Sequence, residues 1–188
     1  MKKKKDIGRR ILYFVIGPLL KLLAWNIYRV RLSKEKKIKE QHLVLSNHSS
    51  LIDSVLISSM FRDPIYFVAA SVLAKSKFWG KLLRLLTGVI PIDKAGFDIK
   101  AMRAVLKTRS QGRSIGVFPE GNNTINGAPL FFGIGIAKLA KQLKLPVALC
   151  NNYGGYFTHP KWATYRREGI VHGKIVRILS VEEVSALT

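Results

Sequence analysis

Three consecutive aliphatic residues, Leu43-Val44-Leu45, run without a spacer into Ser46-Asn47-His48-Ser49-Ser50-Leu51-Ile52-Asp53. A short apolar run that stops at turn-forming residues reads as a buried strand. A helical pattern follows at once, through Val55-Leu56-Ile57, until Asp63-Pro64 stops it. The stretch is therefore a strand, a polar turn and a helix, and strands go on alternating with helices along the chain. The pattern predicts strands over about 28–32, 42–45, 65–70, 89–92, 114–118, 147–151 and 171–179. It predicts helices from about 49 or 50 to 61 and over about 72–87, 97–109 and 132–143. Residues 153–168 read as loop, and Gly173 as a bend in the last strand. Strands alternating with helices build an α/β fold: a mixed, mostly parallel sheet flanked by helices. The polar clusters sit just after strands, where open α/β sheets place their sites.

The first 27 residues read differently. Lys2 to Lys5 and Arg9-Arg10 precede the apolar run 11–20, which Lys21 ends. Ten residues are half of what a spanning helix needs, about 20, and Gly17-Pro18 should break the run. The segment fits an amphipathic membrane-binding helical anchor, with Trp25 and Tyr28 at headgroup level and lysines on anionic lipid. A secretory signal shares the basic head, but no small-x-small cleavage site follows. The expected organisation is a membrane-anchoring segment over 1–27 and one α/β domain over 28–188. The expected location is the cytoplasmic face of the cell membrane, peripheral or monotopic. Charge agrees: 32 basic residues against 11 acidic give a formal net charge of +21, which calls for an anionic partner. The single cysteine, Cys150, cannot form an internal disulfide. No metal-ligand spacing joins the four histidines, and no nucleic-acid motif or stacking platform appears.

Within the central turn, His48 and Asp53 stand five residues apart. On one continuous helix they would lie roughly 140° apart and not meet. If the helix starts at Ser49 or Ser50, His48 can fold back and offer one imidazole nitrogen to Asp53. That is the orienting half of a catalytic dyad, leaving the other nitrogen as a base. Ser50-x-x-Asp53 equally fits a capping box. A third reading makes Ser46, Ser49 or Ser50 a nucleophile activated by His48, without the glycine-flanked serine elbow. Further along, Phe118-Pro119-Glu120-Gly121-Asn122-Asn123-Thr124 offers a carboxylate, a flexible glycine and three hydrogen-bonding side chains after a strand. Such a turn can hold an anion or polyol, or be an ordinary polar loop. Asp93-Lys94 ends another strand, as a surface ion pair or a phosphate site.

In this order the blocks resemble the 1-acylglycerol-3-phosphate acyltransferase family. Its Asn-His-x-x-x-x-Asp block stands here as Asn47 to Asp53. Its Gly-x-Ile-x-Ile-Asp-Arg block stands as Gly88 to Lys94. Its Phe-Pro-Glu-Gly-Thr-Arg-Ser block stands as Phe118 to Thr124. A proline-containing apolar strand stands as Leu145 to Leu149. The resemblance covers about 28–180. It implies transfer of a fatty acyl chain from a thioester of acyl carrier protein or coenzyme A to a lysophospholipid hydroxyl at a membrane, with no cofactor and no metal. It implies His48 as general base, Asp53 as its orienting partner, and direct attack on the thioester. It implies acceptor binding by Asn47, Lys94, Glu120, Gly121, Asn122, Asn123 and Thr124, with Lys75 or Lys77 as supporting cations. Two arginines of the family pattern are replaced, by Lys94 and Asn123. Lysine keeps the charge and loses the bidentate fork; asparagine loses both. The acceptor is therefore lysophosphatidic acid or another lysolipid. From a different class, a non-enzymatic basic membrane-surface binding protein would satisfy the charge alone. Family members commonly continue through a further helix, whereas this sequence ends at Thr188, just after Glu182-Glu183.

Overall fold

The computed structural model describes residues 14–15, 18–19, 22, 25–27, 29–32, 40–50, 52–71, 87–92, 99–132 and 135–187. Seven strands form one sheet: β1 (Arg31–Leu32), β2 (Leu43–Ser46), β3 (Tyr66–Ala70), β4 (Gly88–Ile92), β5 (Ile115–Val117), β6 (Val147–Tyr153) and β7 (His172–Leu179). Their order across the sheet is β1-β7-β6-β2-β5-β3-β4. β6, β2, β5, β3 and β4 are mutually parallel. β7 runs antiparallel to β6, and β1 runs parallel to β7. The expected mixed, mostly parallel α/β sheet is the one observed.

Helices cover both faces. Leu43 and Val44 are neighbours on β2, yet they belong to separate apolar clusters. Side chains alternate sides along a strand, so a strand buried on both faces reads as a continuous apolar run. Leu43 packs with Val105, Leu139 and Leu143, which come from α2 (Ile99–Ser110) and α3 (Gly135–Leu143). Val44 packs with Ile57, Met60, Phe61 and Phe67, on the side of α1 (Asp53–Ser59). Cys150 is buried in this second cluster.

Several features differ from expectation. α1 begins at Asp53 rather than at Ser49 or Ser50, because Asp53 spends its carboxylate on the turn before it. β6 continues to Tyr153, and α4 (Gly155–Thr158) interrupts the expected loop. Gly154 makes that change of direction with φ +88°, and a Cβ there would stand 2.0 Å from the carbonyl oxygen of Ile170. β7 keeps its pairing at Gly173, opposite Asn152; its register irregularity lies opposite Leu149 and Cys150. A last helix, α5 (Val181–Ala186), was not apparent from the pattern; a Ser180–Glu183 capping box opens it. All of the expected helix over 72–87 except Thr87, the pair Asp93-Lys94 with Lys75 and Lys77, and most of the expected anchor over 1–27 lie outside the described residues. At the described anchor positions, Phe14, Val15, Leu19, Leu22, Trp25 and Ile27 are exposed. Among the described residues no helix is long and apolar enough to cross a membrane.

Candidate active site

Parallel pairing brings three strand ends to one edge of the sheet. Leu45 pairs with Val117 and Ser46 with Cys150. Asn47-His48, Phe118 to Glu120 and Asn151 to Tyr153 therefore emerge side by side.

His48 Nδ1 lies 2.9 Å from Asp53 Oδ2. The same oxygen accepts the backbone N–H groups of Ser49 at 2.6 Å and Ser50 at 2.7 Å. Asp53 is fully buried, while the His48 side chain is 18% exposed. A buried carboxylate is costly unless it is paired and hydrogen-bonded, and three donors converging on one oxygen meet that condition. A proton carried on Nδ1 toward this carboxylate leaves a lone pair on Nε2, the arrangement that a general base requires. Nε2 has no hydrogen-bond partner among the described residues. Dyad and turn thus share one group. The Ser50 N–H donates to Asp53, but the N-cap of α1 is Ile52, without a side-chain cap bond, so the Ser50 capping box does not form; the Ser50 hydroxyl is buried with no partner among the described residues. The Ser49 hydroxyl lies 3.5 Å from Asp53 and the Ser46 hydroxyl 3.5 Å from Asn47. None of these serine hydroxyls bonds to His48, so the serine-nucleophile reading has no geometric support.

The imidazole is fixed by what surrounds it. Its ring stacks on Phe118, with centroids 4.1 Å apart and planes 13° apart. Phe118 stacks in turn on Phe67 at 5.2 Å. Phe67 reaches that position across Gly116, where a Cβ would stand 2.5 Å from its ring. The His48 N–H donates to Glu120 Oε1 at 3.0 Å, and Glu120 Oε2 accepts from the Leu130 N–H at 3.1 Å. Thr124 N–H donates to the His48 carbonyl. Asn47 is tied to β6: its Nδ2 donates to the Asn152 carbonyl at 2.7 Å, and its Oδ1 accepts the Asn152 N–H at 2.8 Å. Asn152 Nδ2 returns a bond to the Asn47 carbonyl. Gly155 closes the far side of the turn, where a Cβ would stand 2.8 Å from Ser49 Oγ and 3.4 Å from Asp53 Oδ1.

Several expected acceptor-binding residues thus have structural partners. Asn47 and Glu120 brace the two sides of His48. Thr124 is buried and accepts the Gly127 N–H within its own loop. Gly121 takes φ +67° with open space where a Cβ would be, and Asn122 is exposed. Asn123 holds a buried Nδ2 donor with no protein partner among the described residues. The structure brings Asn47, His48, Asp53, Glu120 and Thr124 together; Lys94 and Lys75 lie outside the described residues. Reading the sequence missed Phe67, Asn152 and Gly155. A second consecutive asparagine inside a strand was a signal, since asparagine is disfavoured there. A Gly-Gly pair after a strand signals close backbone approach.

The acyltransferase family model matches residues 28–150, a span that holds the dyad and its bracing loop. The chain belongs to the acyltransferase family. Over 147 residues it is 31% identical to 1-acyl-sn-glycerol-3-phosphate acyltransferase alpha of Mus musculus, spanning 74% of this chain and 51% of that protein. The protein named 1-acyl-sn-glycerol-3-phosphate acyltransferase in Borreliella burgdorferi is 27% identical over 150 residues, spanning 76% of this chain and 60% of that protein. The chain therefore spans little more than half the length of these relatives. The crystal structure of a 1-acyl-sn-glycerophosphate acyltransferase from Thermotoga maritima shares the fold. It matches with a TM-score of 0.73 and 24% identity, over 94% of this chain and 72% of that one.

Among the described residues no cluster of three or more histidine, cysteine or acidic side chains is placed to hold a metal ion.

Proposed function

We propose that this acyltransferase moves a fatty acyl chain from an acyl thioester to the free sn-2 hydroxyl of 1-acylglycerol 3-phosphate, giving phosphatidic acid. The observation that carries the reading is the fully buried Asp53 carboxylate 2.9 Å from His48 Nδ1, with no partner on Nε2 among the described residues. Nε2 takes the hydroxyl proton as the alcohol oxygen attacks the thioester carbonyl. The tetrahedral intermediate collapses with loss of the thiolate, which receives the proton from the imidazolium. Asp53 stabilises the imidazolium between the two steps. No acyl-enzyme forms, because the acceptor oxygen attacks the thioester directly, and neither metal nor cofactor is required.

The names of the relatives support this acceptor. Lys94, assisted by Lys75, supplies charge to the acceptor phosphate. The Asn123 amide, without a partner among the described residues, donates to the acceptor where the family pattern has a guanidinium. The donor, acyl carrier protein or coenzyme A, is anionic like the acceptor and suits a chain of net charge +21. A lipid acceptor calls for work at a membrane surface, and we read the chain as a peripheral or monotopic enzyme at the cytoplasmic face.

The test is acyl transfer by the purified protein, with acyl-carrier and coenzyme A donors and a panel of lysolipids. His48→Ala is expected to lower kcat by about 10²–10⁴. Retained activity in that variant sinks the mechanism. Preference for a lysolipid without a terminal phosphate sinks the acceptor assignment and leaves the chemistry standing.

A further inference from the structure

Large apolar side chains stand uncovered on the loops beside the dyad. Phe131 is 90% exposed, Ile125 68%, Tyr165 66% and Trp162 53%. They lie on two loops, one following Glu120 and one following α4, and the loops are stitched together. The Trp162 indole N–H donates to the Ile125 carbonyl at 3.0 Å. Gly127 lies so close to the Tyr156 ring that a Cβ would stand 2.9 Å from it.

Cations frame these rings. The Arg167 guanidinium lies 4.9 Å over the Trp162 ring, and Lys161 and Arg166 are exposed beside it. Across 125–132 and 156–168 the only acidic residue is Glu168. Arg166 also donates to the Ile27 carbonyl, so the exposed Trp25 and Ile27 adjoin the same surface. Exposed rings bordered by cations match the boundary of an anionic bilayer, where apolar rings enter the acyl edge and cations meet the headgroups.

The surface is coupled to the dyad through one side chain. Leu130, next to Phe131, donates its N–H to Glu120, and Glu120 accepts the His48 N–H through its other oxygen.

We propose that the loops 125–132 and 156–167 form a second lipid-contact surface, which seats Phe131 and Trp162 in the boundary layer of an anionic bilayer and holds the His48 side of the domain against it. The proposal rests on the reading of the acceptor as a membrane lipid. Docking is measured without any acyl donor, so failure of docking and failure of acyl transfer are separate results.

The experiment uses the full chain carrying Trp25→Phe and Trp79→Phe, so that Trp162 is the sole tryptophan. The probe is a phosphatidylcholine vesicle containing phosphatidylglycerol, with and without brominated acyl chains. On binding, Trp162 emission is expected to shift to the blue and to be quenched by the brominated lipid. Phe131→Ser with Phe132→Ser is expected to weaken vesicle binding at least fivefold. Lys161→Gln with Arg167→Gln is expected to weaken it about tenfold on anionic vesicles and little on neutral ones. Unchanged circular dichroism confirms that the exposed-site variants fold. An unquenched Trp162 in vesicle-bound protein overturns the proposal, as do folded variants that bind as tightly as their parent. Absence of vesicle binding by the parent overturns it as well.

Discussion

Asp53 joins the turn, the start of α1 and the imidazole of His48. Three donors reach a single carboxylate oxygen: the imidazole and two backbone N–H groups. Asp53→Asn keeps one carbonyl oxygen to accept them and removes the charge that stabilises the imidazolium. The expected outcome is a kcat lowered by about 10³–10⁴, with a melting temperature changed by only a few degrees. Parallel kinetic and thermal measurements on the variant check this, and near-parental kcat would remove Asp53 from the chemistry. The pairing with His48 was legible because histidine and aspartate bracket a strand-to-helix turn. The start of the helix was misplaced because propensity cannot show that Asp53 turns its carboxylate backwards. The ring column was illegible for another reason. Phe67 lies on β3, Gly116 on β5 and Phe118 just after it, and these strands are neighbours only after the sheet forms. Non-local contact of this kind leaves no periodicity in either segment.

At the scale of elements, the central strands were readable because burial on both faces makes them continuously apolar. The ends were not, because local hydrogen bonding decides them. α5 is the clearest case: six residues of weak pattern, closed by reciprocal bonds between Ser180 and Glu183. Glu183 is held below the usual carboxylate range by the Ser180 backbone N–H and then by Arg177. Glu182 is lowered by the Ser180 hydroxyl. A carboxylate lowered in the folded state contributes stability above its unfolded pKa and loses it as pH falls through the folded value. Acidification below about pH 4 is thus expected to release α5 before the sheet, seen as faster amide exchange at Val184 and Ser185. Ser180→Ala is expected to speed that exchange about fivefold at neutral pH. Exchange insensitive to both changes would mean that packing of Val184 against the core, rather than the cap, holds the helix.

For the whole molecule the dominant fact is charge. With 32 basic residues against 11 acidic, most cations have no acid to pair with. Several acids are already committed: Asp53 to the dyad, Glu120 to two backbone N–H groups and Glu183 to the α5 cap. Like charges repel in the compact state, and the expanded chain relieves that repulsion. Salt shortens the reach of the repulsion, from about 30 Å at 0.01 M to about 10 Å at 0.1 M. Raising sodium chloride across that interval is therefore expected to raise the melting temperature. A gain of about 1–2 kcal/mol in a domain of this size corresponds to a rise of a few degrees. Vesicle binding must move the opposite way, weakening as salt screens cations from lipid phosphates. The two responses share one cause, so they should appear over the same salt interval. A melting temperature that falls with salt while vesicle binding also weakens would break that link. It would mean that the basic residues are arranged in locally compensated pairs and that the net charge does not govern the molecule's stability.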